Sequence, residues 1–237
     1  LLIIISIVYT VFAIQFGNTF VPTNRDYYTY ALDAFLHGRL DLITPHTYDL
    51  SFFQNKWYLY WGPAPVLFIL PFYLITGAYT SDIFYTLIAG ILNTFLFYLL
   101  IIEFQKYFKI KLSSFLNSFL LVSFAFASPN FYLSLAGLVW HTNQIIAIFY
   151  LLIFYLFYFK FLKNDKKLSF FVLATIFFNL AWLTRYTLFI NIAMFAYLFF
   201  HARMHHKKLP IKPIAIGISI TALFISSFFL YNFLRFG

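Results

Sequence analysis

Only seven carboxylates occur in this chain of 237 residues, and four of them, Asp26, Asp33, Asp41 and Asp49, fall between Asn18 and Gly62. The same stretch holds two of the six histidines, His37 and His46, and two of the four tryptophans, Trp57 and Trp61. Elsewhere the chain is mostly hydrocarbon; taken whole, it is 63% hydrophobic and 10% charged. Chemistry is therefore expected where these polar side chains collect. A carboxylate can serve as a general base, and a histidine as a base or a hydrogen-bond partner. There is no cysteine, so disulfides, thiol nucleophiles and Cys-ligated metals are excluded.

Polar residues outside this stretch offer further candidates. Arg185 sits in a turn of a few residues between two apolar segments, and a charge so close to hydrocarbon is a functional candidate by default. Snorkelling to lipid headgroups is the alternative for it. Trp140-His141-Thr142-Asn143-Gln144 opens an apolar segment, where His141 and Asn143 could reach hydroxyls of a substrate; helix capping by Thr142 or Asn143 is the ordinary reading. His201, His205 and His206 have helical spacing but stand in a basic cluster without acids, so no metal site is assigned there. Asp82 and Glu103 read as helix-end residues at membrane borders.

The elements that must position these groups are membrane helices. Mean hydropathy is +0.84, and apolar segments recur at 1–17, 63–79, 83–104, 112–128, 144–160, 168–183, 186–202 and 213–231. Runs of this length cross about 30 Å of hydrocarbon as helices. The formal charge of +9 does not imply nucleic acid. Eleven of the sixteen Lys and Arg lie in three clusters, at 106–111, 160–167 and 203–212, which orient a protein in a bilayer with the clusters cytoplasmic. Eight crossings leave the clusters on conflicting sides. Parity is restored if 63–79, which carries Pro63, Pro65 and Pro71, does not span. Seven spanning helices result, with the N-terminus inside. The 18–79 loop, the Pro129–Asn143 loop, the Thr184–Tyr186 turn and the Asn232–Gly237 tail lie outside. The start at LLIIISIVYT, without Met or a basic flank, reads as a fragment rather than a signal peptide, since no small-x-small site follows.

Within the outer loop, Thr23 or Asn24 is expected to cap a helix from Asp26 to Gly38. Asp26, Thr29, Tyr30, Asp33 and His37 then share one stripe, facing up from a helix that lies on the membrane surface. Residues 47–61 read as an irregular hairpin turning at Gln54-Asn55-Lys56. Its Tyr and Trp rings, Trp61 included, suit an interfacial belt and equally the face of a sugar or isoprenoid.

The ordered combination of Arg25-Asp26-Tyr-Tyr-Thr-Tyr-Ala31, Phe35-Leu-His-Gly-Arg-Leu-Asp-Leu42, Tyr48-Asp-Leu-Ser51 and Tyr60-Trp-Gly-Pro-Ala-Pro65 after a membrane helix resembles the GT-C integral-membrane glycosyltransferases. Within these it is most similar to the protein O-mannosyltransferase and aminoarabinose-transferase branch, with the bacterial RgtA/B/C/D-like domains. The resemblance covers nearly the whole chain. It implies an all-α membrane module of seven helices with half-embedded helices in the first outer loop. It also implies a polyprenyl-phosphate sugar donor and, by position, Asp26 as catalytic base on the extracytoplasmic face. Family members often carry Asp-Glu here, whereas this chain has Asp26-Tyr27, so the resemblance gives no firm metal site or two-carboxylate mechanism. Inverting transfer needs one base and cations for the departing phosphate, not a glycosidase pair. Arg binds phosphate bidentately, and the outer candidates are Arg185 first, then Arg25, Arg39 and Arg235. Asp49, His37, Trp61, His141 and Asn143 complete the expected substrate contacts. The acceptor is a glycan, lipid or protein hydroxyl.

Two other classes compete. A transporter should show intramembrane charges or repeats, and the apolar segments hold few ionisable residues and no repeat. A non-catalytic scaffold explains the hydrophobicity but not four acids in one loop.

Overall fold

The computed structural model describes residues 1–17, 19–77, 80–163, 167–204 and 211–237, without the side chains of 198, 199 and 201–203. The described chain is helical apart from one small hairpin. The helices are α1 (Leu2–Phe16), α2 (Tyr27–Leu36), α3 (Pro65–Thr76), α4 (Asp82–Phe108), α5 (Ser114–Phe126), α6 (Pro129–Ala136), α7 (Val139–Lys163), α8 (Leu168–Thr184), α9 (Ala193–Met204) and α10 (Ile211–Phe236). The hairpin pairs β1 (Ser51–Phe53) with β2 (Lys56–Tyr58). Its turn residues Gln54 and Asn55 both have left-handed φ, 47° and 60°, as a tight two-residue hairpin turn demands.

Among the described residues three helices, α4, α7 and α10, are long and apolar enough to cross a membrane, and α5 with α6 makes a fourth if the pair, bent by 41°, counts as one span. The bend falls where the Ser128 hydroxyl accepts from the Asn130 N–H and Pro129 begins α6, since proline suits the first helical position. Two expectations are corrected here. Pro129–Asn143 is not a loop but α6 and the first turn of α7, and 232–237 is not a tail because α10 runs to Phe236. Arg185 is extended and leads into a 3-10 helix, Tyr186–Ile192, before α9.

Helix α7 forms the centre, packed against α4 and α8, and is buried along most of its length, while α10 is almost wholly peripheral. Several buried amides tie this apolar frame together, because a polar group left wholly unpaired there costs several kcal/mol. Asn93 Nδ2 donates to Asn130 Oδ1 and to the Ile145 carbonyl, both at 3.1 Å. Asn130 Nδ2 donates to the Tyr9 hydroxyl and the Gly90 carbonyl, also at 3.1 Å. Together they tie α1, α4, α6 and α7. On the other side, Asn179 Nδ2 donates 3.1 Å to Thr221 on α10 and its oxygen accepts from Trp182 Nε1 at 2.8 Å.

The bundle has two unlike ends. At one, Lys106, Lys109 and Lys111 follow α4 down, Lys160 and Lys163 end α7, and Lys167 precedes α8. Lys166, Lys207, Lys208, His205 and His206 lie outside the described residues. At the other end the 19–62 segment meets the starts of α4 and α7 and the ends of α8 and α10. Gly62 is pressed onto α8 there: a Cβ would stand 1.7 Å from the Leu183 carbonyl oxygen. Helix α3 starts beside that contact. It ends where Thr76 bonds Thr80 at 2.6 Å and Ser81 donates to the Val21 carbonyl. Both its ends therefore lie at the same end of the bundle. Pro71 sits inside α3 without terminating it.

Candidate functional site

Asp26 caps α2 itself, its carboxylate accepting from the Thr29 N–H, which replaces the expected cap by Thr23 or Asn24. The surface-stripe expectation for α2 is also corrected. Asp26 and Thr29 are as buried as Tyr27, Tyr28, Ala31 and Ala34 on the opposite side, because α3 folds back over α2 and the first turn of α7 approaches it. His37 alone on the stripe is freely exposed.

Asp26 is only 2% exposed. Its Oδ1 accepts from the Tyr85 hydroxyl at 2.6 Å, and Oδ2 is buried with no partner among the described residues. Burial, reinforced by the charge of Asp82, pushes its pKa up to about 8, against the lowering pull of the bonds from Tyr85 and Thr29. Among the described residues it forms no ion pair. On the first turns of α2 and α7, Asn143 Oδ1 is buried with no partner among the described residues, while the Thr29 and Thr142 hydroxyls, outside good hydrogen-bond geometry, still act on Asp26 and Tyr85.

Asp82, the first residue of α4, was expected only as a helix end. It is fully buried and knits the site together. Its carboxylate accepts from the Thr23 N–H at 3.0 Å, the Thr23 hydroxyl, the Leu138 N–H at 2.7 Å and the Ile83 N–H at 3.1 Å. Gly137, at φ 56°, makes room for it, since a Cβ there would lie 2.9 Å from the carboxyl. A second carboxylate therefore stands in electrostatic reach of Asp26, supplied from α4 and not from position 27. Tyr85, and the place of Asp82 beside Asp26, escape sequence reasoning because nothing local ties them to Asp26; an acid opening an apolar helix is the one visible signal.

Next to Asp26 in sequence, Arg25 sets its guanidinium over two rings, 4.2 Å from the centroid of Tyr48 and 4.9 Å from that of Trp140. The Tyr27 hydroxyl donates to the Tyr48 carbonyl. Asp49, left-handed at φ 68°, acts electrostatically on Tyr27 and Tyr60. His141 packs edge-on to Tyr132 at 5.2 Å, with Nδ1 3.1 Å from the Gly137 carbonyl. Arg25, Asp26, Asp49 and His141 thus gather at the start of α2.

The remaining candidates are placed elsewhere or differently. Asn143 is a buried tie: its Nδ2 donates to the Tyr28 hydroxyl at 2.8 Å and the Thr184 carbonyl at 2.6 Å. That bond brings the end of α8 beside the site, and Arg185 follows at once, half-buried, its backbone bonded to Ala181 and Leu188 and its side chain in no hydrogen bond or ion pair among the described residues. Trp61 packs at a tilt against Tyr60, with ring centroids 4.9 Å apart, and its buried Nε1 acts on the Tyr60 hydroxyl without a well-formed hydrogen bond among the described residues. Arg235 is a pin: it donates 2.6 Å to the Leu59 carbonyl and lies 3.9 Å over the Tyr231 ring. Arg39 and His37 stand at the far end of α2, about 15 Å away by helix rise. There Arg39 pairs with Asp33 at 3.3 Å, and Tyr73 donates to the same carboxylate at 2.7 Å.

Among the described residues no three His, Asp or Glu converge as metal ligands do; the side chain of His201 lies outside them. Comparison with protein-family models, with characterised proteins and with solved structures returns no match. The site's geometry and chemistry therefore carry the functional conclusion.

Proposed function

We propose that the chain is a GT-C-type membrane glycosyltransferase that moves a sugar from a polyprenyl-phosphate donor to an acceptor hydroxyl on the extracytoplasmic face. Seven crossings are formed by α1, α4, α5 with α6, α7, α8, the 3-10 helix with α9, and α10. Helix α3 enters and returns on the site's side, as its paired ends suggest. The observation that supports this reading best is Asp26: a carboxyl deep in a polar end, without a counter-cation, with one oxygen uncommitted and a pKa raised to about 8. A general base works best with a pKa near the working pH, and burial is the usual means of raising a carboxylate to it.

The acceptor oxygen attacks the anomeric carbon while its proton passes to Asp26 Oδ2. The bond from that carbon to the phosphate oxygen breaks, its electron pair leaves with the polyprenyl phosphate, and the configuration inverts. Arg25 is suited to the departing phosphate. It lies over the rings of Tyr48 and Trp140 and spends no N–H on an ion pair among the described residues, which suits bidentate contact with phosphate. Arg185, unpaired beside the same end, is the second cation.

The test is transfer from a short-chain polyprenyl-phosphate sugar by protein in lipid nanodiscs. Release of polyprenyl phosphate that depends on Asp26 is expected; release by Asp26→Asn at the wild-type rate removes Asp26 as base.

A further inference from the structure

A cavity lies away from Asp26, between the C-terminal end of α2, the hairpin and the last turns of α10. It measures about 520 Å³ and is lined by Phe35, Arg39, Asp41, Lys56, Tyr58 and Leu234, with Gly38 and Leu40. That volume lies within the range of small-molecule pockets. The chemistry of its wall is mixed in a particular way. Arg39 spends one nitrogen on Asp33, at 3.3 Å, while Nη1 is buried with no partner among the described residues. Lys56 and Asp41 form a loose pair at 3.6 Å, and such a half-exposed pair is worth little to stability. Phe35 and the buried Tyr58 supply ring surface.

The charges here cancel: Arg39 and Lys56 against Asp33 and Asp41. A bare phosphate or carboxylate would gain from the cations and lose as much to the acids. A hydroxyl, by contrast, both donates and accepts, so a wall that offers free N–H groups beside a carboxylate suits a polyol. Rings beside those groups suit the apolar face of a pyranose. We propose that this cavity is a carbohydrate-binding subsite that takes a neutral sugar ring of the acceptor, with Arg39 and Asp41 as its hydrogen-bonding residues. Its role as an acceptor subsite rests on the glycosyltransferase reading, while its capacity to bind sugar does not. It lies along α2 from Asp26, so an oligosaccharide held here could run back along the helix to the base.

Saturation-transfer NMR, without donor, tests it on protein in nanodiscs free of sugar detergents. The probes are methyl hexopyranosides and methyl pentopyranosides at millimolar concentration. At least one is expected to bind the wild type and Asp26→Asn alike. Asp41→Asn and Arg39→Lys are expected to weaken it roughly fivefold, the loss of one hydrogen bond. Lys56→Gln, read with them, separates the site from a merely loosened fold, since all three should keep the wild-type melting temperature. The proposal is overturned if no glycoside binds. It is also overturned if binding ignores Asp41 and Arg39, or if inorganic phosphate displaces the glycoside at equal concentration. If the glycoside binds but no transfer occurs under any condition, the sugar site stands and the glycosyltransferase reading falls.

Discussion

The two ends of α2 each present an aspartate, and they are treated in opposite ways. Asp33 is half-exposed and surrounded by partners: Arg39, the Tyr73 hydroxyl and the His37 ring. Asp26 is buried, accepts from one hydroxyl and one backbone N–H, and has an idle oxygen with no cation against it. A structural carboxylate in a membrane protein is normally neutralised, because an uncompensated charge in low dielectric is expensive. The Asp33 end shows how this loop satisfies an acid when stability is the object. The Asp26 end withholds the same help, and such a group is a candidate for chemistry.

Breaking the comparison at its active end should have the largest effect. Asp26→Asn is expected to lower transfer at least about a hundredfold, the usual scale for a general base, with the fold retained in circular dichroism and gel filtration. Next comes Arg25. Charge-assisted hydrogen bonds are worth about 1.5–3 kcal/mol, so Arg25→Ala should cost about ten- to a hundredfold in donor binding. Arg25→Lys should restore only part, since a point charge cannot reproduce the fork; full activity in Arg25→Ala would pass the phosphate role to Arg185.

A thermodynamic asymmetry should follow. The folded pKa of Asp26, about 8, lies above the ordinary 3.8. The folded state therefore holds its proton more tightly than the unfolded one. Stability from this group is complete below pH 4 and is lost as pH rises through 8, to an extent on the order of 5 kcal/mol. Melting temperature should fall across that window in the wild type and stay flatter in Asp26→Asn, measured by thermal denaturation in one detergent. The smallest effect belongs to the other end. Tyr73→Phe removes one hydrogen bond to Asp33 and should cost about 0.5–1.5 kcal/mol of stability, with transfer unchanged.

Local pattern carried part of this architecture. The apolar segments, the Gln54-Asn55 turn and the gathering of lysines opposite the acids were readable because each depends on composition or on neighbours in sequence. Where two local rules competed, the wrong one was chosen. Pro129 suggested a loop, yet proline after a capping serine starts a helix, and α6 begins there. The period of α2 gave two faces correctly, but period alone cannot tell that α3 returns to cover the polar one. Asp82 is the clearest loss. Its partners Thr23 and Leu138 are 59 and 56 positions away, and only tertiary packing shows that the second carboxylate sits on α4.

The central claim is that Asp26 acts as the base with the pKa its burial imposes. The pH dependence of kcat/KM for transfer from a polyprenyl-phosphate sugar reads that value in the free enzyme. An ascending limb with its midpoint near 8 is expected, displaced upward in Tyr85→Phe because the Tyr85 hydroxyl bond favours the carboxylate. A rate that stays level from pH 6 to 9, or a limb that Tyr85→Phe does not move, would contradict the account.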